Sequence, residues 1–176
     1  MIAFSPEFRN PAGLRGGYQY VVASWPGKAT AWNVRMFAFG EMLPTAENSV
    51  ELTNDIAKTG ARIPRITCRH GANELSLTKR MAEVGVELCR LGLGATDAHS
   101  QPASVAGDAI HEVGTCRMGR DPKTSMLDGF CRSHEVRGLV VVDGSAFVTL
   151  PEKNPTLTMR AIASRAATRL AEDLLR

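Results

Sequence analysis

Alternation is the first regular signal along the chain. Trp32, Val34, Met36 and Ala38 fall on one side of an extended backbone, and Asn33, Arg35, Phe37 and Phe39 on the other. Apolar residues stand on both sides, so the run from Ala31 predicts a long central strand, ended by Pro44. Before it, Tyr18 to Ser24 reads as a strand closed by Pro26 and Gly27. Residues 1–17, punctuated by Pro6, Pro11, Gly13, Gly16 and Gly17, read as loop. After it, residues 48–53 place Val50 and Leu52 on one side, and residues 62–69 place Ile63, Arg65 and Thr67 opposite Ile66 and Cys68. A turn-rich stretch joins these two runs, with room for one helical turn at 55–58. The three runs from Ala31 onward predict an antiparallel meander.

The period then changes. Leu77, Met81, Val84, Leu88 and Leu91 recur at three and four residues, which predicts a helix with Asn73 as its N-cap and Gly92 or Gly94 as its stop. This helix is expected to cover one face of the meander. Gly92 to Asp97 superficially resembles a nucleotide-binding loop. It follows a helix rather than a strand and lacks the third glycine, so it reads as a helix end. Residues 97–108 read as loop. Leu139 to Val142 is the most apolar strand candidate and runs into Asp143-Gly144. A second long helix is predicted over 156–174, with Leu157, Ala161, Ile162, Ala166, Leu170 and Leu174 as its buried stripe and its alanines favouring close packing.

Composition narrows this α+β picture without redirecting it. The 176 residues suit one soluble domain, with 44% hydrophobic and 22% charged residues and a formal charge of +3. Arg62, Arg65 and Arg69 sit in an alternating run without an aromatic platform, which reads as a solvated sheet face rather than a nucleic-acid surface. Cys68, Cys89, Cys116 and Cys131 contain no C-x-x-C pair, so reduced, mostly buried thiols are expected and a metal site is not. No apolar run reaches about 18 residues, and the first ten residues show no secretory pattern. The expected location is cytoplasmic by default, with the periplasm open.

Candidate chemistry gathers in the C-terminal third. His111 opens His-Glu-Val-Gly-Thr-Cys-Arg-Met-Gly, where Gly114 and Gly119 let the backbone approach a large flat ligand. Its imidazole suits proton transfer near neutral pH. Asn154 precedes Pro155, a residue favoured in the first turn of a helix. Local sequence leaves it open whether Asn154 is a plain cap or a site residue at a helix N-terminus. His70, His99 and His134 show no metal-ligand spacing and read as solvent-exposed.

These stretches, with Leu139 to Ser145 and Asn154-Pro155-Thr156-Leu157-Thr158, resemble the C-terminal part of the glucose-methanol-choline (GMC) family of FAD-dependent alcohol and sugar oxidoreductases. Gly40 to Pro44 with Glu47-Asn48 is similar to that family's substrate-domain sheet, and Asp121 to Ser125 to its sugar and gluconate dehydrogenase branch. The resemblance implies an antiparallel substrate-domain sheet covered by helices over 1–110. Over 111–176 it implies the catalytic motifs with the last strand and helix of an FAD-binding α/β domain. It implies that His111 takes the substrate hydroxyl proton while the carbon passes hydride to flavin N5, and that Asn154 binds the same hydroxyl. Asp143 and Gly144 would touch the FAD, with Pro155 and Thr156 beside the flavin's pyrimidine edge. No G-x-G-x-x-G follows a strand, so the dinucleotide-binding half is absent from these residues and is expected from an N-terminal segment, in cis or in trans. The competing expectations are a catalytically silent remnant without FAD, and a small α+β binding domain unrelated to flavin.

Overall fold

The computed structural model describes residues 3–4, 16–28, 32–108, 110–149 and 152–175. The fold is α+β, with two antiparallel sheets and two long helices among the described residues. Most of the loop expected over 1–17, and Ala31 at the head of the alternating run, lie outside them. Two compact units interleave along the chain. The first draws on residues within Met1–Leu43, His70–Val105 and Pro151–Lys153, the second on Pro44–Arg69, Ala106–Leu150 and Asn154–Arg176.

In the first unit, β1 (Ala3–Phe4), β2 (Tyr18–Pro26) and β3 (Trp32–Gly40) form one sheet in the order β1-β2-β3. The central strand is therefore β2, and β3 lies at an edge. The two-sided apolar pattern of β3 misleads because its residues stay uncovered: Trp32 is 66% and Phe37 45% exposed. One sheet face packs on α1 (Ala72–Glu87), where Tyr18, Tyr20, Leu77 and Met81 form a buried cluster flanked by Met36 and Val84. The Tyr20 hydroxyl donates to the Met81 carbonyl at 2.7 Å, satisfying the polar end of a buried ring.

The cap of α1 is Gly71 rather than Asn73. Glu74, 8% exposed, supplies the missing acceptor: its carboxylate accepts from Gly71 N at 2.9 Å and from Leu43 N at 3.3 Å. It thus ties the end of the β3 segment to the start of the helix. Burial pushes its pKa up, but hydrogen bonds from Asn73 and from the backbone outweigh that, so the net shift is down from 4.5. A depressed carboxylate contributes stability above its unfolded pKa and loses it as pH falls through the folded value. Melting temperature should therefore drop on acidification from about pH 5 to about pH 3, and Glu74→Gln should melt lower at neutral pH with a shallower acid decline. The helix runs into a π turn, Leu88–Gly92, and stops at Gly94, whose φ is 64° and beyond which Ala95 N reaches the Cys89 carbonyl at 3.0 Å.

In the second unit, β4 (Ser49–Ile56) and β5 (Arg62–Thr67) pair with each other alone among the described residues, so the expected meander is two separate sheets. Pro44 has no N–H to offer β3's ladder, and a turn at Thr45–Asn48 redirects the chain. The anticipated helical turn at 55–58 is replaced by strand to Ile56 and a turn closed by Ala57 N to Ala61 O at 2.8 Å. A register shift between Leu52 and Ile56 frees carbonyls that Arg62 caps, bonding Thr53 O at 2.7 Å and Leu52 O at 3.1 Å.

The rest of this unit is an irregular layer packed on α2 (Thr156–Leu174), whose limits agree with the sequence expectation. Leu127, Cys131, Ala146 and Ala166 are its buried core, with Cys116, Met118, Val140, Val141 and Ile162 against them. Of the expected helix stripe only Ala166 is fully buried; Leu157 and Leu174 are 81% and 78% exposed. The layer touches the helix near both ends through other residues, Met159 and Asp173, and leaves these two leucines uncovered. Leu139 to Val142 is likewise not a strand. Among the described residues it pairs on one side, by Ser133 N to Leu139 O at 2.9 Å and Val141 N to Cys131 O at 3.0 Å, with a single bridge at Val140. The turn at 128–132 is tied to the far end of α2: Arg132 bonds Asp128 at 3.0 Å and Asp173 at 2.6 Å, and with Arg165 and Arg169 surrounds the Phe130 ring.

His99 is exposed as expected, but His134 is half-buried. Its Nε2 lies 3.2 Å from both the Ser125 hydroxyl and the Gly119 carbonyl, clasping the layer from within. His70 is half-buried as well. All four cysteines are free, and only Cys131 is fully buried. Among the described residues no helix is long and apolar enough to cross a membrane, and no cluster of His, Cys, Asp or Glu could hold a metal ion.

Candidate active site

All six residues singled out from the sequence, His111, Asp143, Gly144, Asn154, Pro155 and Thr156, fall in the second unit. Three backbone bonds lay the histidine segment along a short 3-10 turn at Gly144–Ala146: Gly114 N to Gly144 O at 3.3 Å, Cys116 N to Ser145 O at 2.9 Å, and Met118 N to Ala146 O at 3.0 Å. This ladder enters through Gly114, whose φ of 88° bends the chain into register. His111 itself is half-buried and has a φ of 70°, a left-handed conformation uncommon for side-chain-bearing residues, in which Asn, Asp and His are enriched. Such strain persists only where the surroundings hold it.

Gly144 is the joint between the segments. A Cβ there would lie 2.9 Å from the Glu112 carbonyl oxygen and 3.4 Å from both Met159 Sδ and Val113 Cγ1. One position thus touches the residue after His111 and the first turn of α2. Backbone cannot yield as a flexible side chain would, so Gly144→Ala should destabilise the second unit by about 1–3 kcal/mol, read as a lower urea midpoint.

The cap residue of α2 is Pro155, not Asn154, which lies one step earlier. Pro155 is fully buried, and its carbonyl accepts from Met159 N at 2.9 Å. No side chain caps this helix and no acidic residue occupies its first turn, so its first N–H groups have no anionic partner in the helix itself. Asn154 and Thr156 are exposed. No hydrogen bond joins His111 to Asn154; the structure brings their segments into one unit without linking their side chains. The Asp143 carboxylate is exposed and accepts from Ser145 N at 2.9 Å and from the Ser145 hydroxyl, which together hold its pKa down. Sequence reasoning missed Ser145 and Met159. The Asp-Gly-Ser spacing carries an Asx-turn signal that points to the first; nothing local points to the second.

The sequence profile described as GMC oxidoreductase matches residues 44–163. This chain belongs to the GMC oxidoreductase family. It is 34% identical over 136 residues to 2-methyl-1,2-propanediol dehydrogenase of Mycolicibacterium austroafricanum, covering 76% of this chain and 24% of that protein. It is 34% identical over 132 residues to paromamine 6'-oxidase of Streptomyces fradiae, covering 75% and 24%. It is 29% identical over 149 residues to the fructose dehydrogenase large subunit of Gluconobacter japonicus, covering 84% and 27%. The chain spans about a quarter of the length of these GMC relatives. The resemblance read from the histidine and Asn-Pro-Thr stretches, to the C-terminal part of this family, is thereby borne out.

Proposed function

We propose that this chain is the C-terminal portion of an FAD-dependent oxidoreductase acting on CH–OH groups of alcohols or sugars. It supplies the proton acceptor and one helix terminus of a site completed by a dinucleotide-binding segment outside these residues. The carrying observation is the backbone ladder from Gly114–Met118 to Gly144–Ala146, with Gly144 seated against both Glu112 and Met159. Residues 1–110 take the role of substrate-domain sheet and residues 111–176 that of catalytic and flavin-facing motifs. The names of relatives, which speak of a propanediol, of fructose and of long-chain alcohols, fit hydroxyl-bearing substrates.

The residues fit FAD by their donor chemistry. The uncapped, acid-free start of α2 presents N–H groups and roughly half a positive charge of helix dipole, suited to an electron-rich ring edge at Pro155 and Thr156. The head of the short turn at Asp143 and Gly144 would lie against the cofactor. When bound, FAD supplies the acceptor for the electron pair that leaves with the carbon-bound hydrogen. His111 accepts the hydroxyl proton at a ring nitrogen, which makes the carbon a better donor of that pair. The Asn154 amide donates a hydrogen bond to the hydroxyl oxygen and fixes its orientation.

The test uses the chain joined to a dinucleotide-binding segment to the length of its relatives. Anaerobic mixing with a panel of primary alcohols, diols and sugars should bleach the visible flavin band with at least one of them. A protein that holds flavin and is bleached by none would overturn the proposal.

A further inference from the structure

The Asp143 carboxylate has a task that the functional reading does not use. It sits at the head of the Gly144–Ala146 turn and accepts from Ser145 N at 2.9 Å and from the Ser145 hydroxyl. That turn is held by Ala146 N to Asp143 O at 3.2 Å and Phe147 N to Gly144 O at 3.1 Å. Its outward carbonyls, on Gly144, Ser145 and Ala146, receive the N–H groups of Gly114, Cys116 and Met118. The ladder begins three residues after His111, whose left-handed backbone has no glycine to relax it.

We infer that Asp143 is a positioning residue for His111: by capping the turn through Ser145 it aims the three carbonyls that hold the histidine segment in place. The inference rests on the reading of His111 as proton acceptor, and it assigns the Asp143 side chain to the protein's own backbone rather than to a ligand. Asparagine keeps an oxygen acceptor in the same place, and alanine does not. The two substitutions therefore separate capping from mere bulk.

Amide hydrogen exchange on the intact 176-residue chain reads this without any cofactor. In Asp143→Ala, exchange at Gly114, Cys116 and Met118 should accelerate by about fivefold to tenfold, the effect of losing one capping acceptor. The amides of Asp128, Cys131 and His134, bonded elsewhere in the same unit, should keep their rates. The imidazole C–H resonances of His111 should shift while those of His134 stay. Asp143→Asn should restore most of the protection and the His111 resonances. Ser145→Ala, which removes only the hydroxyl, should give a smaller change at the same three amides and serves if the alanine variant at 143 does not fold. Unchanged exchange at 114–118, or equal acceleration throughout the unit, would overturn the inference. So would failure of asparagine to rescue. In the flavin-loaded enzyme, Asp143→Ala should lower kcat and Asp143→Asn should recover it. If the exchange result holds while His111→Ala leaves turnover intact, the functional reading fails and the capping role alone survives.

Discussion

Replacing His111 with alanine in the flavin-loaded enzyme should slow turnover roughly a hundred- to ten-thousand-fold, the span of a lost general base, while flavin absorbance per protein stays the same. The expectation follows from where His111 lies. Its segment is fixed by backbone bonds from Gly114 onward, so deleting the imidazole leaves the ladder, the turn and the start of α2 in place. Loss of activity would then point to the imidazole itself and not to collapse of the site. Steady-state rates with a reactive alcohol, taken beside the visible spectrum, give both quantities. Turnover within a few-fold of the parent would remove His111 from the mechanism. The left-handed backbone at this position adds a control: His111→Asn, which tolerates that conformation, should slow turnover comparably and keep the parent's stability, whereas His111→Val should also destabilise the unit.

The second large effect is on stability. Leu127→Ala should cost about 2–5 kcal/mol, measured by urea unfolding of the 176-residue chain. Leu127 is 2% exposed and stands where the irregular layer is knitted together. Its carbonyl receives Gly119 N at 2.8 Å, its N–H reaches Arg117 O at 3.3 Å, and its side chain packs with Cys131, Ala146 and Ala166. Leu157→Ala is the matched control. Both are leucines in the same unit, but Leu157 is 81% exposed and its truncation should change stability by less than about 0.5 kcal/mol. Equal effects at the two positions would mean that the core of this unit is not the one described.

That contrast also shows what the sequence could and could not reveal. The limits of α2 were legible because period and punctuation agree: Asn-Pro opens it and apolar residues recur at helical spacing. Which part of its stripe is buried was not legible, because that depends on the extent of the layer beneath it. Leu157 and Ala166 look alike in the pattern, yet Leu157 is exposed and Ala166 buried; the layer meets the first turn at Met159 and leaves Leu157 uncovered. The strand expected at Leu139–Val142 failed for a related reason. β-branched residues favour extended backbone, but a strand also needs a partner along its length, and Cys131 to Ser133 supply only a short one. The same holds for β3, apolar on both sides and yet an edge strand.

At the site, the residue types and their order were legible: a histidine before a glycine turn, a run ending in Asp-Gly, an Asn-Pro helix start. The joints between them were not. A backbone bond from Cys116 to Ser145 leaves no periodic trace, and the closeness of Gly144 to Glu112 and Met159 appears only once the chain is folded. The half-burial of His134 has no local signal, because nothing near it in sequence announces that Gly119 and Ser125 fold over it.

On the proposed function these residues hold one part of a flavin site, and a dinucleotide-binding segment completes it. The direct measurement is FAD titration, by quenching of flavin fluorescence, of the 176-residue chain alone and of the same chain mixed with that segment as a separate polypeptide. The prediction is saturable FAD binding by the mixture that neither piece shows alone, weakened when the chain carries Gly144→Val. Equally tight binding by the chain alone, or binding by the mixture that is indifferent to Gly144→Val, would contradict it.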